Sequence, residues 1–165
     1  MTWATHTTAS YILSSVLGLN VVLALLGSTA PDWFEDLFGL REHRGVSHYF
    51  VLWFFAFLLC LGLLLSGFEW AFYPLSFVVG GLSHLFLDAL TVAGIPLGVG
   101  KIRVRIGGLI RTGKTSEWVF LALLLVAFVP IRGMNIEIGY SKWKSYYEKG
   151  LLDEREFQER KFKLF

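Results

Sequence analysis

The run VSHYFVLWFFAFLLCLGLLLSG, residues 46–67, carries no charged side chain. A helix of that length rises about 33 Å at ~1.5 Å per residue, enough for a hydrocarbon layer of about 30 Å. Length and polarity together predict a membrane-spanning helix. The rest of the chain agrees. Its 165 residues are 55% hydrophobic and only 17% charged, against about 25% charged in an average soluble domain. This is the composition of an integral membrane protein of one domain.

Working outward, three more apolar blocks flank that run. Thr8 to Ala30 is interrupted by Gly18-Leu19-Asn20, Phe68 to Leu90 follows the Ser66-Gly67 turn, and Glu117 to Ile131 comes last. If Thr8 to Ala30 were one straight helix, His6 and Asp32 would stand on opposite sides of the membrane. Gly and Asn tolerate a sharp turn, so the interruption predicts two half-length helices that return Asp32 to the side of His6. The third linker alternates polar and apolar residues on either side of Gly107-Gly108 and reads as a small β-hairpin across that turn. The expected fold is therefore all-α and polytopic. It has an N-terminal broken helix or re-entrant hairpin, three longer spans, and a β-hairpin in the third loop. Residues 1–132 form the membrane-embedded domain. Residues 133–165 form a charged tail, whose stripe of Trp143, Tyr146, Tyr147, Leu151 and Leu152 suits an amphipathic surface helix.

Several function classes are excluded at this point. The N-terminus lacks the basic region of a cleavable signal peptide. Cys60 is the lone cysteine and lies mid-span, which rules out disulfides and thiolate metal ligation. A net charge of +2 is too small for nucleic-acid binding.

The four histidines, His6, His43, His48 and His84, all sit at the edges of apolar segments. His84 and Asp88 are four residues apart in a lipid-like stretch, so a helix stacks them on one face. An ionisable pair in that setting is costly unless it is paired, faces water or binds something. A buried hydrogen-bonded pair between helices is the bland alternative. With the broken helix, every candidate ligand falls on one membrane face. Imidazole mixed with carboxylate suits zinc, manganese or iron, and carboxylate with water suits magnesium or manganese.

Five pieces carry this chemistry. They are His6; Pro31-Asp32-Trp33-Phe34-Glu35-Asp36; His43-Arg44-Gly45-Val46-Ser47-His48; Ser83-His84 through Asp88 to Thr91 and Gly94; and Thr112-Gly113 with Glu117. Together they resemble the membrane-bound metal-dependent hydrolase family, which includes LexA-regulated inner-membrane hydrolases of bacteria. The resemblance covers Thr5 to about Trp118. It departs at Phe34, where family members often carry a second acid, so Glu35 or Asp36 would have to substitute.

The resemblance implies a bacterial inner-membrane hydrolase holding one or two divalent ions, zinc first, with manganese, magnesium or iron as alternatives. On this reading His43, His48, His84, Asp88 and Asp32 bind metal and His6 assists. Arg44 steadies an anionic oxygen, and one of Glu35, Asp36 and Glu117 serves as general base. Metal-activated water would attack an ester, most plausibly a phosphoester of a membrane lipid. Lys101, Arg103, Arg105, Arg111 and Lys114 would then either hold substrate phosphate or anchor anionic headgroups. The rival is a non-enzymatic metal-binding membrane protein, either a transporter or a structural subunit.

Overall fold

The computed structural model describes residues 1–37, 45–98 and 102–162. His43, Arg44 and Lys101 lie outside the described residues, as does the side chain of Asp36. Two compact units are present, Met1–Leu123 and Leu124–Phe165.

In the first unit, α1 (Trp3–Leu17) and α2 (Val21–Leu37) are separate helices, broken at the predicted place. Gly18 adopts a left-handed conformation at φ 66° and its N–H returns to the Ser14 carbonyl, a helix stop that favours glycine. Asn20 then starts α2 by accepting the Leu23 N–H at 3.1 Å through its side chain. The Asn20 N–H donates to Ser76 Oγ at 3.1 Å, which fastens the turn to a later helix. Within the hairpin, Ser10 Oγ donates to the Ala24 carbonyl at 2.9 Å.

A 3-10 turn (Val46–His48) leads into α3 (Phe50–Leu65), and a second (Glu69–Ala71) leads into α4 (Phe72–Ala89). Among the described elements the α2–α4 contact is the most extensive, and two glycines explain it. A Cβ on Gly27 would stand 1.9 Å from the Phe77 carbonyl oxygen, and one on Gly80 would stand 2.0 Å from that of Ala24. Neither position admits a side chain. Small residues let backbones approach closely where lipid, rather than water, surrounds the helices. Gly81 does the same for α3, because a Cβ there would meet the Trp53 ring at 1.9 Å. Trp53, Cys60, Leu75, Val78, Leu85 and Ile95 form the buried core around these contacts. Large apolar side chains on the outer faces, among them Phe55, Leu59, Leu65 and Leu123, are exposed.

Among the described helices, one is long and apolar enough to cross a membrane, the 21-residue segment Glu69–Ala89. Phe50–Leu65 and Thr115–Ile131 are apolar but shorter, about 24 and 25 Å at ~1.5 Å per residue. Three long spans were expected, and the uncharged run at 46–67 is shorter as a helix because Val46–His48 is a 3-10 turn.

The third loop does contain a two-stranded antiparallel hairpin, but not the one the alternation suggested. Strand β2 (Arg103–Val104) pairs backwards with β1 (Ile95–Pro96), with Ile95 opposite Val104. The residues after Gly107-Gly108 are claimed elsewhere. Ile106 N–H donates to the Ala89 carbonyl at 2.8 Å and Val92 N–H to that of Ile110 at 3.2 Å. Burying Ile95 in the core outweighs local pairing across the glycines.

Helix α5 spans Thr115–Glu148 and α6 spans Glu154–Phe162. In the second unit Phe157 is buried, stacked at 5.0 Å on Tyr147 and tilted at 6.2 Å against Tyr140. Arg160 lies over the Trp143 ring at 4.5 Å. The aromatic stripe of the tail therefore packs on α6, while Leu151 stays exposed.

Candidate metal centre

The break between α1 and α2 brings His6 and Asp32 to one end of the bundle, beside His48 from the 3-10 turn and His84 and Asp88 from α4. His6, His48, His84 and Asp88 are each at most 3% exposed. The distances between their facing atoms are short and similar. Asp32 Oδ1 stands 3.4 Å from His48 Nε2 and 3.6 Å from His84 Nε2. Asp88 Oδ2 is 3.8 Å from His84 Nε2, and Asp88 Oδ1 is 3.5 Å from His6 Nε2. Ligand atoms held at about 2.0–2.2 Å by a tetrahedral ion stand roughly 3.3–3.6 Å from one another. Two overlapping triads result: Asp32, His48 and His84, and His6, His84 and Asp88.

The outer nitrogens settle which ring atoms face inward. His84 Nδ1 is 2.7 Å from the Ser28 carbonyl oxygen. A carbonyl only accepts, so Nδ1 carries the proton and Nε2 keeps its lone pair toward the centre. Pro31, inside α2, removes the hydrogen bond to the Gly27 carbonyl and loosens the helix next to Ser28. His48 Nδ1 is 2.9 Å from Glu35 Oε1, with the same consequence. Glu35 Oε1 also accepts the Ser47 hydroxyl at 2.9 Å and the Gly45 N–H at 2.7 Å. A carboxylate or carbonyl behind each imidazole is the arrangement that orients metal-binding histidines.

His6 differs. Among the described residues neither of its ring nitrogens has a hydrogen-bond partner, and its ring stacks on His84 with centroids 3.7 Å apart. Asp32 Oδ2 accepts the Trp3 indole N–H at 3.2 Å, and the Met1 amino group donates to Asp88 Oδ1.

The remaining sequence candidates divide. Glu35 is near the cluster, and its Oε1 is engaged behind His48. It lies three residues after Asp32, on the same face of α2, while Phe34 packs against the hydrophobic core. Glu117 is buried and serves as a clasp. Its Oε1 accepts the Thr2 N–H, the Thr2 hydroxyl and the Thr5 hydroxyl at 2.6, 2.9 and 2.7 Å, and its Oε2 accepts the Gly113 N–H at 2.6 Å. It joins α1 to the start of α5. Thr91 donates to the Asp88 carbonyl at 2.7 Å. Gly94, at φ 64°, lies against the Val104 carbonyl. Both shape the loop. Sequence reasoning missed Trp3 and the Ser28 carbonyl, the first for want of any motif and the second because a backbone atom leaves no signature.

The chain matches the family described as YdjM inner membrane protein over residues 1–141. It belongs to that family. The match contains every residue of the histidine–aspartate cluster, and it makes this an inner-membrane protein family member. No curated protein and no solved structure matches the chain.

Proposed function

We propose that this YdjM-family protein is a multi-pass membrane hydrolase that holds one or two divalent ions, zinc first, and cleaves a phosphoester of a membrane lipid. One observation carries the reading. Two imidazoles, each with its Nδ1 fixed from behind, direct Nε2 at the same Asp32 oxygen from 3.4 and 3.6 Å, among buried titratable groups of the kind that functional sites gather.

A bound divalent ion would supply Lewis acidity and lower the pKa of a coordinated water. The protein's own groups do the rest. Glu35 and the Ser28 carbonyl hold His48 and His84 in the required tautomer. Asp32 and Asp88 balance cationic charge in a poorly solvated place. Of the carboxylates that could take a proton from the attacking water, Glu117 has both oxygens engaged and Glu35 Oε1 holds His48, Ser47 and Gly45, while the side chain of Asp36 lies outside the described residues. Histidine with zinc-compatible spacing favours zinc over magnesium.

The test uses purified protein in detergent. Elemental analysis, with anomalous scattering to locate the ions, should find zinc or a similar metal at His48, His84 and Asp32. Phosphate or diglyceride release from mixed phospholipids should depend on that metal. Full occupancy with no turnover by any metal would defeat the enzyme reading, and metal flux into liposomes would then favour a transporter.

A further inference from the structure

Beside the histidine cluster lies an apolar groove of about 380 Å³, within the ~300–1,000 Å³ typical of small-molecule sites. Its walls come from α2, the 3-10 turn, α3 and α4, and include Phe34, Leu52, Trp53, Ala56 and Phe77. Ser47 is the polar residue of its lining. Ser47 ties the wall of the groove to the centre, since its hydroxyl donates to Glu35, which holds His48.

We propose that this groove seats an acyl chain of a phospholipid, placing the headgroup ester at the histidine–aspartate cluster. The groove is pre-formed. The Trp53 indole donates to the Ser47 carbonyl at 2.7 Å and lies against Gly81, where no side chain fits. It is also reachable from lipid, because Leu52 and Val46 at its edge are half exposed. Charge complements it. The loop bearing Arg103, Arg105 and Arg111, all exposed, is bound to the first turn of α3 by the Val51 N–H on the Leu97 carbonyl at 3.2 Å. Arg103 pairs with Pro96, the neighbour of Leu97, which puts an exposed cation near the start of α3, as an anionic headgroup requires. The assignment rests on the hydrolase reading for the ester but not for the acyl chain.

The experiment incubates purified protein with phosphatidylethanolamine bearing a diazirine midway along one acyl chain, with and without excess unlabelled lipid. Photolabelling should concentrate on Leu52, Ala56 and Phe77 and should be displaced by competitor. Ala56→Trp fills the groove without touching the cluster. It should reduce both this labelling and phospholipid turnover by about tenfold, while metal content and cleavage of a short-chain soluble ester stay as in the parent. Should Ala56→Trp fail to fold, Ala56→Leu and the competition on the parent protein still decide. Labelling spread evenly to the outer residues Phe55 and Leu59, or undiminished by the fill, overturns the proposal. So does a photocrosslinker at Leu52 that captures a second copy or another protein instead of lipid. Focused, saturable labelling without turnover sustains the groove and sinks the hydrolase; turnover with unfocused labelling does the reverse.

Discussion

The imidazoles of His6 and His84, from the first and fourth helices, lie nearly parallel, 3.7 Å between centroids and 11° between planes. Two cations could not share that contact, so the stack is stable only with at least one ring neutral. Neutral imidazole is also the form that binds metal.

His84 belongs to both triads and His6 to one. His84→Ala should therefore lower metal affinity at least ~100-fold, and His6→Ala nearer ~10-fold. Competition with a chelator of known affinity measures both, and circular dichroism checks that the helices persist. Equal losses at the two positions would contradict the overlapping geometry.

Glu35 acts on the ion through His48. Glu35→Gln keeps an oxygen for the Gly45 N–H and the Ser47 hydroxyl but removes the charge behind the imidazole. Metal affinity should fall about 10- to 100-fold with little change in unfolding temperature. A metal site indifferent to this change would mean that Glu35 only ties the loop.

Gly80 and Gly62 make a controlled pair. A methyl on Gly80 would collide with the Ala24 carbonyl, whereas one on Gly62 meets nothing within 4 Å. Gly80→Ala should destabilise by about 1–3 kcal/mol or more, as overpacking does. It should also disturb His84, one turn further along α4. Gly62→Ala should be neutral or stabilise by up to ~1 kcal/mol through helix propensity. Thermal unfolding in detergent compares them.

Glu117 accepts four hydrogen bonds and has no oxygen to spare. In Glu117→Gln an amide nitrogen would face one of those donors, a loss of order ~1–3 kcal/mol. Unfolding temperature should drop while metal stoichiometry holds. Unchanged stability with abolished turnover would restore Glu117 as a general base.

Much of this was readable from residue order. The charge-free run at 46–67 and the overall composition gave a membrane protein. Gly18-Leu19-Asn20 gave the break that returns Asp32 toward His6, because only a few residue types tolerate that turn. His84 and Asp88 announced themselves by their spacing. Local patterns could not decide the strand partner of Arg103–Val104, since core burial of Ile95 settled it from a distance. Nor could they find Phe157, which is buried against Tyr140 and Tyr147.

The sequence by itself determined the solvent, the helix breaks and the residue types fit to bind a cation, for these depend on local hydropathy and backbone preference. Tertiary structure alone decided which nitrogen of His48 and His84 faces inward, that His84 serves both triads, and that Glu35 and Glu117 are holders. Those properties belong to contacts between distant segments. Such contacts form only when α2 and α4 close on each other across Gly27 and Gly80.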